Sequence, residues 1–507
     1  MNTCFINVEN GVKIPFDIIP MLNFENFYEE IINFVNSDAS VVLFFVFENK
    51  DEDELQFVAV LRQEDKLFAA RSKALSEYPS FCTHSLKFQL FEREIAEQYG
   101  IKPIGHPWFK SVRYHNNFVN ADDLFGNDYK NDIPGAYPFY KVEGEEIHEV
   151  AVGPIHAGII EPGHFRFNCA GEEILNLEIV HGYQHRGIEK QLLNADLKKF
   201  PFILESAAGD TTIAHATAFS EAIEGLTNTG IDDESKKIRA LALELERLAN
   251  HVGDLGALSG DVAFLPPAAY FGRIRGEFLN ILLNISGNRF GKGLVRPSGV
   301  RFPVSDGQKH NFVSKINELE KEIISIADMM FVQPGVLGRF EKTGIVKHNT
   351  ATELGLVGVA GRASGIDYDV RRSFPVSAWK DITLDNIIEH SGDVMGRAMV
   401  RYREIKQSLN LVKSLLDKLE CSNPDKCGYK QPVLEPSSFI VSMQEAWRGE
   451  LAHCIITDSK GAISRYKIKD PSFHNWNGLE LAVRNEAISN FPVCNKSFNL
   501  SYCGFDL

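Results

Sequence analysis

The sequence predicts an α+β protein in two unequal parts, and three observations carry that prediction. Up to about residue 115, short β-rich runs alternate with helical stretches. Two strand-like segments then flank the turn Ala170-Gly171-Glu172-Glu173. Beyond residue 235, long segments carry apolar residues three or four apart. The expected organisation is a small α/β domain over 1–118, a linker over 119–148, and a domain over 149–507. That last domain combines a small antiparallel sheet with a large helical bundle.

The elements follow in order. Phe24 to Val35 has helical spacing, and Val41–Phe47 and Leu55–Leu61 read as strands. Phe91 to Gly100 reads as a charged helix ending at a glycine, where a left-handed cap costs little. Asn116 to Glu146 is rich in Asn, Asp, Gly, Pro and Tyr and reads as a linker. Phe165–Cys169 and Ile174–Val180 read as the paired strands. Ser235–Gly256 sets Ile238, Leu241, Leu245, Leu248 and Val252 on one stripe. Further helices are expected over Phe271–Ile285, His310–Phe331, Leu384–Leu419 and Gly478–Ile488.

Composition narrows the function. A chain of 507 residues exceeds one ordinary core, and 44% hydrophobic with 24% charged residues is a globular balance. The net charge of -15 argues against a nucleic-acid partner and against an electrostatic lipid anchor. No apolar run approaches the roughly 18 to 20 residues of a bilayer span. Met1 to Asn10 lacks a secretory pattern, so a cytoplasmic chain is expected. The cysteines (Cys4, Cys82, Cys169, Cys421, Cys427, Cys454, Cys494 and Cys503) form no Cys-x-x-Cys pair and read as buried free thiols. No dinucleotide or Walker-type glycine loop occurs, and Gly287–Gly293 reads as a helix-end turn.

Two family resemblances meet in the chain. Glu92-Arg93-Glu94, Gly100-Ile101 and Gly105-His106-Pro107 resemble the signature of the complex I C-type subunit. From Gly153 onward the chain resembles the complex I D-type subunit and the large subunit of group 4 nickel–iron hydrogenases. The matching segments include Gly153-Pro154-Ile155-His156, Glu161-Pro162-Gly163-His164 and His185-Arg186-Gly187-Ile188-Glu189-Lys190. They continue through Glu244–His251, Arg362–Asp369, Trp447–His453 and Pro471–Asn475. The resemblance implies the hydrogenase large-subunit fold for 149–507.

It also implies a site. A nickel–iron centre takes four thiolates. Aligned on His215, the first pair falls on Ala208 and Thr211; aligned on the tail, the second falls on Leu500 and Cys503. One thiol cannot assemble that centre, so no resident metal is expected. The resemblance further implies proton-relay and cavity roles for Glu161, His164 and Arg448. The bland alternatives are a loop carboxylate capping local N–H groups for Glu161 and a buried arginine bridging helices through a carboxylate for Arg448. His164 matches a quinone-binding histidine, but the tyrosine that should accompany it is missing from 205–220. His185 and Arg186 match an edge near a partner's iron–sulfur cluster, with a helix-start salt bridge around Glu189 as the alternative. Asp210, Thr211 and Thr212 are polar replacements at the metal position.

The implied function is a peripheral-arm subunit on the cytoplasmic face of the inner membrane. It would belong to a complex I-like or energy-converting hydrogenase-related complex coupling electron transfer to ion movement without nickel. Implied partners are an iron–sulfur small subunit of B type and antiporter-like membrane subunits. The alternatives are a quinone-binding NADH dehydrogenase subunit, a non-catalytic scaffold and an active hydrogenase.

Overall fold

The apolar run around Val41–Phe47 becomes the middle of a ten-residue strand, Ser40–Asn49, that is buried on both faces. It pairs antiparallel with Glu54–Gln63, which pairs in turn with Lys66–Lys73; Ile6–Val8 and Met21–Leu22 complete the sheet. The structure is a computed structural model describing residues 4–115, 118–119, 124–125, 137–156, 160–421 and 433–507. Side chains alternate along Glu54–Gln63. Phe57, Ala59 and Leu61 face the helices Phe24–Asn36 and Gln89–Tyr99, whereas Val58 and Val60 face the opposite way.

That second face is covered by the C-terminal end of the chain. Ser438–Ala446, Gly449–Thr457 and Ile463–Lys469 form an antiparallel sheet, with Ile14–Pro15 added at its edge. Phe439, Val441, Met443, Ala452, Cys454 and Ile456 pack against Leu43, Phe45, Phe47, Val58 and Val60. Residues 1–118 and 149–507 therefore share a core.

The remaining elements follow the expected pattern. Ile147–Val152, His164–Ala170 and Glu173–Val180 form a three-stranded antiparallel sheet. Asp233–Asp261, Leu265–Ser286, Asp306–Phe331 and Val394–Lys418 build the bundle. Thr212–Thr227 lies between bundle and C-terminal sheet. No single helix among the described residues is long and apolar enough to cross a membrane.

Three expectations need correction. The helix expected over Leu384–Leu419 begins only at Val394, because Gly392 adopts φ 64° and the Asp393 side chain caps the helix through the Gly396 N–H. The helix expected over Gly478–Ile488 runs instead from Ser472 to Ala482. Pro471 favours its start, and Asn485 at φ 63° lies just beyond its end. The C-terminal sheet was not expected at all; Ser438–Ala446 and Gly449–Thr457 are buried at every position and show no alternation to read. Of the expected linker, Tyr137–Glu146 is described and holds no helix or strand. Most of its remainder, and Cys427, lie outside the described residues.

The charged helix exists as Gln89–Tyr99, closed by Gly100 at φ 66°, but its charges point inward. Glu92 accepts from Ser80 and from the Phe81 and Cys82 N–H groups. Glu97 accepts from the N–H groups of Val112, Arg113 and Tyr114. Glu94 lies between Arg113 (2.6 Å) and Lys467 (2.7 Å), joining the N-terminal region to the C-terminal sheet. Burial alone would raise its pKa, but Lys467 and Arg113 outweigh burial and bring it down to about 2. A carboxylate with a depressed folded pKa stabilises the fold above its ordinary range and loses that effect as pH falls through the folded value. Glu94→Gln is therefore expected to cost about 3 to 5 kcal/mol at neutral pH. The cost should shrink toward pH 2, as followed by denaturant unfolding across pH.

Candidate functional site

The segments 207–211 and 499–503, one far upstream and one at the chain end, meet in the structure, and two arginines tie them together. Arg448 sits in the turn between Ser438–Ala446 and Gly449–Thr457. Its guanidinium donates to both Asp210 oxygens, at 2.7 and 2.8 Å, and to Thr211 Oγ1 at 3.3 Å. Its Nε donates to the Asn499 carbonyl, and the Trp447 ring lies 3.8 Å from the guanidinium carbon. Arg186 donates to the carbonyls of Ser206, Ala207 and Cys503. The Asp210 carbonyl accepts from Trp447 Nε1 and Asn250 Nδ2, both at 3.0 Å.

This donor set does not fit a nickel–iron centre. Ala208 and Leu500 offer no ligand atom, and Thr211 is already engaged by Arg448. Cys503 is buried, and burial followed by the nearby Glu161 pushes its thiol up to about 12, so it stays protonated. Cys494 packs against Gly344 and Arg397, and burial pushes its thiol up to about 12 as well. Burial by itself would raise the Asp210 pKa; Arg448 and Thr211 hold it below the ordinary value. The Arg448 pKa is lowered by burial and raised by more through Asp210, ending well above its ordinary value. An ion pair thus closes the position.

The other expected residues have definite partners. Glu161 Oε2 accepts from the N–H groups of Tyr502 (3.0 Å) and Cys503 (3.1 Å), capping the terminal helix Tyr502–Asp506. The capped N–H groups belong to a distant segment and not to Glu161's own loop, so the carboxylate ties Glu161 to the segment that Arg448 also reaches. His164 opens its strand, with Nδ1 3.3 Å from the Gly153 carbonyl and Arg166 Nε donating to Nε2 at 3.4 Å. Burial first, and Arg166 after it, lower its pKa, so the ring is neutral at pH 7. His185 Nδ1 donates to the Asp506 carbonyl, and burial brings its pKa down to about 4. The Asp506 carboxylate accepts from the Gly182 and Gln184 N–H groups, so the 182–186 turn grips the chain end. Glu189 forms the helix-start salt bridges, to Arg465 at 2.8 Å and Lys467 at 3.0 Å.

Sequence reasoning missed a buried chain beneath this site. Tyr466 Oη lies 2.8 Å from His453 Nδ1, His453 Nε2 lies 3.1 Å from His215 Nδ1, and His215 Nε2 lies 3.8 Å from Asp470. Two of these residues are on strands that were not expected. Glu246 was also missed: it accepts from the Ile213 and Ala214 N–H groups at the start of Thr212–Thr227. Among the described residues, Cys82, Glu92 and His106 gather ligand-type atoms within 4.8 Å of one another. Both His106 nitrogens already serve the backbone, at Gln89 and Trp108, and Glu92 is saturated. That cluster is structural.

Comparison with known proteins gives the same class. The family described as "Respiratory-chain NADH dehydrogenase, 49 Kd subunit" matches residues 261–435. Formate hydrogenlyase subunit 5 of Escherichia coli (strain K12) is 25% identical over 438 residues, covering 84% of this chain and 76% of that protein. NADH-quinone oxidoreductase subunit 4 of Thermus thermophilus is 28% identical over 371 residues, covering 68% and 90%. Carbon monoxide-induced hydrogenase of Rhodospirillum rubrum is 26% identical over 353 residues, covering 69% and 97%. The chain is thus related both to proteins named as complex I subunits and to proteins named as hydrogenase subunits.

Two outcomes test the closed site. Arg448 is 5% exposed but Asp210 33%, so Asp210→Ala should cost about 2 kcal/mol, below the range for fully buried pairs. Adding Arg448→Met should recover part of that loss, measured as a coupling energy in a denaturation cycle. Burial, assisted by Asp210, raises the Glu246 pKa to about 8 against its two N–H donors. A raised carboxyl stabilises fully below its ordinary pKa and loses that contribution as pH rises through about 8. Glu246→Gln should therefore flatten the decline in stability between about pH 4.5 and 8, followed by denaturant unfolding across that range.

Proposed function

We propose that this chain is a peripheral subunit of a membrane-associated oxidoreductase complex, of the complex I or energy-converting hydrogenase kind. In this reading its nickel–iron position is permanently closed. The observation that carries the reading is the Arg448–Asp210 pair, which joins the two segments where the family's ligands would stand. The chain then contributes a rigid scaffold and proton-bearing groups to a redox reaction whose electrons travel in a partner.

The partner's side is favoured by the open groove beside Arg186. It is lined by Lys190, Lys199, Ile203 and Phe202, and Phe202 is 62% exposed. An iron–sulfur chain seated there would lie against cationic groups that favour a reduced cluster. Antiporter-like membrane chains complete the assembly, with Glu161 and His164 as the proton-handling residues of this subunit and Arg448 as the permanently charged group that closes the cavity. Peripheral attachment on the cytoplasmic face of the inner membrane accords with this arrangement.

One observation favours a second reading, quinone binding. A cavity of about 380 Å³ lies beside the tail, lined by Phe165, Phe491, Leu500, Tyr502 and His156. Its size and largely apolar wall suit a small lipophilic ring.

Purification of the native complex tests the proposal. Iron and sulfide should accompany this chain through a co-purifying partner, and nickel should be absent. Stoichiometric nickel on this chain would refute the closed site. Full complex activity in Glu161→Ala, His164→Ala and Arg448→Ala variants would reduce the chain to a scaffold.

A further inference from the structure

Behind the turn that carries Arg448 lies a buried network with more acids than bases. Arg362 donates to Glu404 (3.0 and 2.7 Å) and to Glu445 (2.8 Å). Arg371 donates to Glu244 (2.8 Å) and to Asp369 (3.0 and 2.6 Å). Arg247 reaches Glu404 at 3.2 Å and Glu244 at 3.5 Å. All seven side chains are buried, and among the described residues they oppose four carboxylates to three guanidinium groups.

An unbalanced charge in a poorly solvated interior costs several kcal/mol, and a group so placed lowers that cost by binding a proton. Geometry identifies which group. Glu244 receives Arg371, Arg247 and the Ser408 hydroxyl; Glu404 receives Arg362, Arg247 and His251; and Asp369 receives Arg371 on both oxygens. Among the described residues, Glu445 receives one Arg362 nitrogen and the Val370 N–H. It is the least compensated of the four.

The charges acting on Glu445 are those of Asp369, Arg362, Arg247 and Arg371, and Glu450 stands opposite it on the neighbouring strand. Through Tyr368 the network reaches Glu450, which has two cations of its own, Lys469 and Arg62, the latter 3.4 Å from its carboxylate and stacked over the Tyr368 ring. His251 is the other possible acceptor, but burial, the largest influence on it, lowers its pKa. Arg247 also donates to the carbonyls of Glu445 and Ala446, so the network grips the root of the Arg448 turn.

We propose that this network is a proton-binding site, holding one exchangeable proton on Glu445 directly behind the Arg448–Asp210 pair. The direction of its titration agrees: burial first, then the Asp369 charge, raise the Glu445 carboxyl to about 7 against its three arginines. The site goes beyond the function proposed above and stands without it, because the proton is measured on the purified chain alone.

Infrared spectroscopy of the full chain tests the proposal. Glu92, Glu221, Glu246 and Glu480 also have raised pKa values, so the spectrum is read as wild type minus Glu445→Gln. The difference should show a protonated-carboxyl band that shifts in heavy water and disappears with a midpoint near pH 7. Asp369→Asn keeps Glu445 but leaves three carboxylates to three guanidinium groups, so the midpoint should fall by about one unit or more. Circular dichroism confirms that each variant is folded. No difference band between pH 6 and 8, or an unchanged midpoint in folded Asp369→Asn, would overturn the proposal. So would nitrogen NMR signals showing that His251 carries the proton.

Discussion

The pairing of ionised groups withdrawn from water is the interaction on which this fold depends. Ile463–Lys469 turns Arg465, Lys467 and Lys469 into the interior at alternate positions, and each meets an acid from another part of the chain. Arg465 meets Glu189, Lys467 meets Glu94 and Glu189, and Lys469 meets Glu450. Isolated charges of this kind are prohibitively expensive to bury, whereas paired ones fix a single register and approach. The strand therefore locks the helix Gln89–Tyr99 and the helix Ile188–Asn194 against one sheet. The apolar contact between the two β-sheets then follows from the same placement.

The chain end is held by the same principle. Glu161, Gly182, Gln184, His185 and Arg113 satisfy the exposed polar groups of the short helix Tyr502–Asp506. Arg448 and Arg186 add bridges from the 206–211 segment. A metal centre would cross-link those two segments through thiolates; here charge-assisted hydrogen bonds perform the cross-linking. The Arg448–Asp210 pair is neutral overall, and the buried carboxyls of Glu246 and Glu445 are the nearby groups with raised pKa values.

Much of the candidate site was legible from residue identity. Ala208, Thr211, Leu500 and Cys503 state by their chemistry that four thiolates are not available, and no folding alters that. The acidic partner suited to the Arg448 fork could be anticipated, but not that it is Asp210, since the two stand far apart in sequence. Glu161 illustrates the limit: its segment points to a relay, yet its carboxylate is taken up by two N–H groups that only the folded tail brings near. His453 escaped notice because its strand is buried at both faces, where alternation carries no signal; around Tyr466 polar and apolar residues do alternate, but both sets are buried, so the usual solvent face is missing.

By itself, the sequence determined the class of fold, the long amphipathic helices, the first pair of strands and the absence of any Cys-x-x-Cys pair. Each is a local property of spacing or of side-chain chemistry. Tertiary structure alone decided that the charged helix faces inward, that the two regions share a core and that Arg448 closes on Asp210. It also decided that four acids converge on three arginines. These are matters of which distant charges meet out of water, and the energy of such a meeting depends on burial that no stretch of sequence contains.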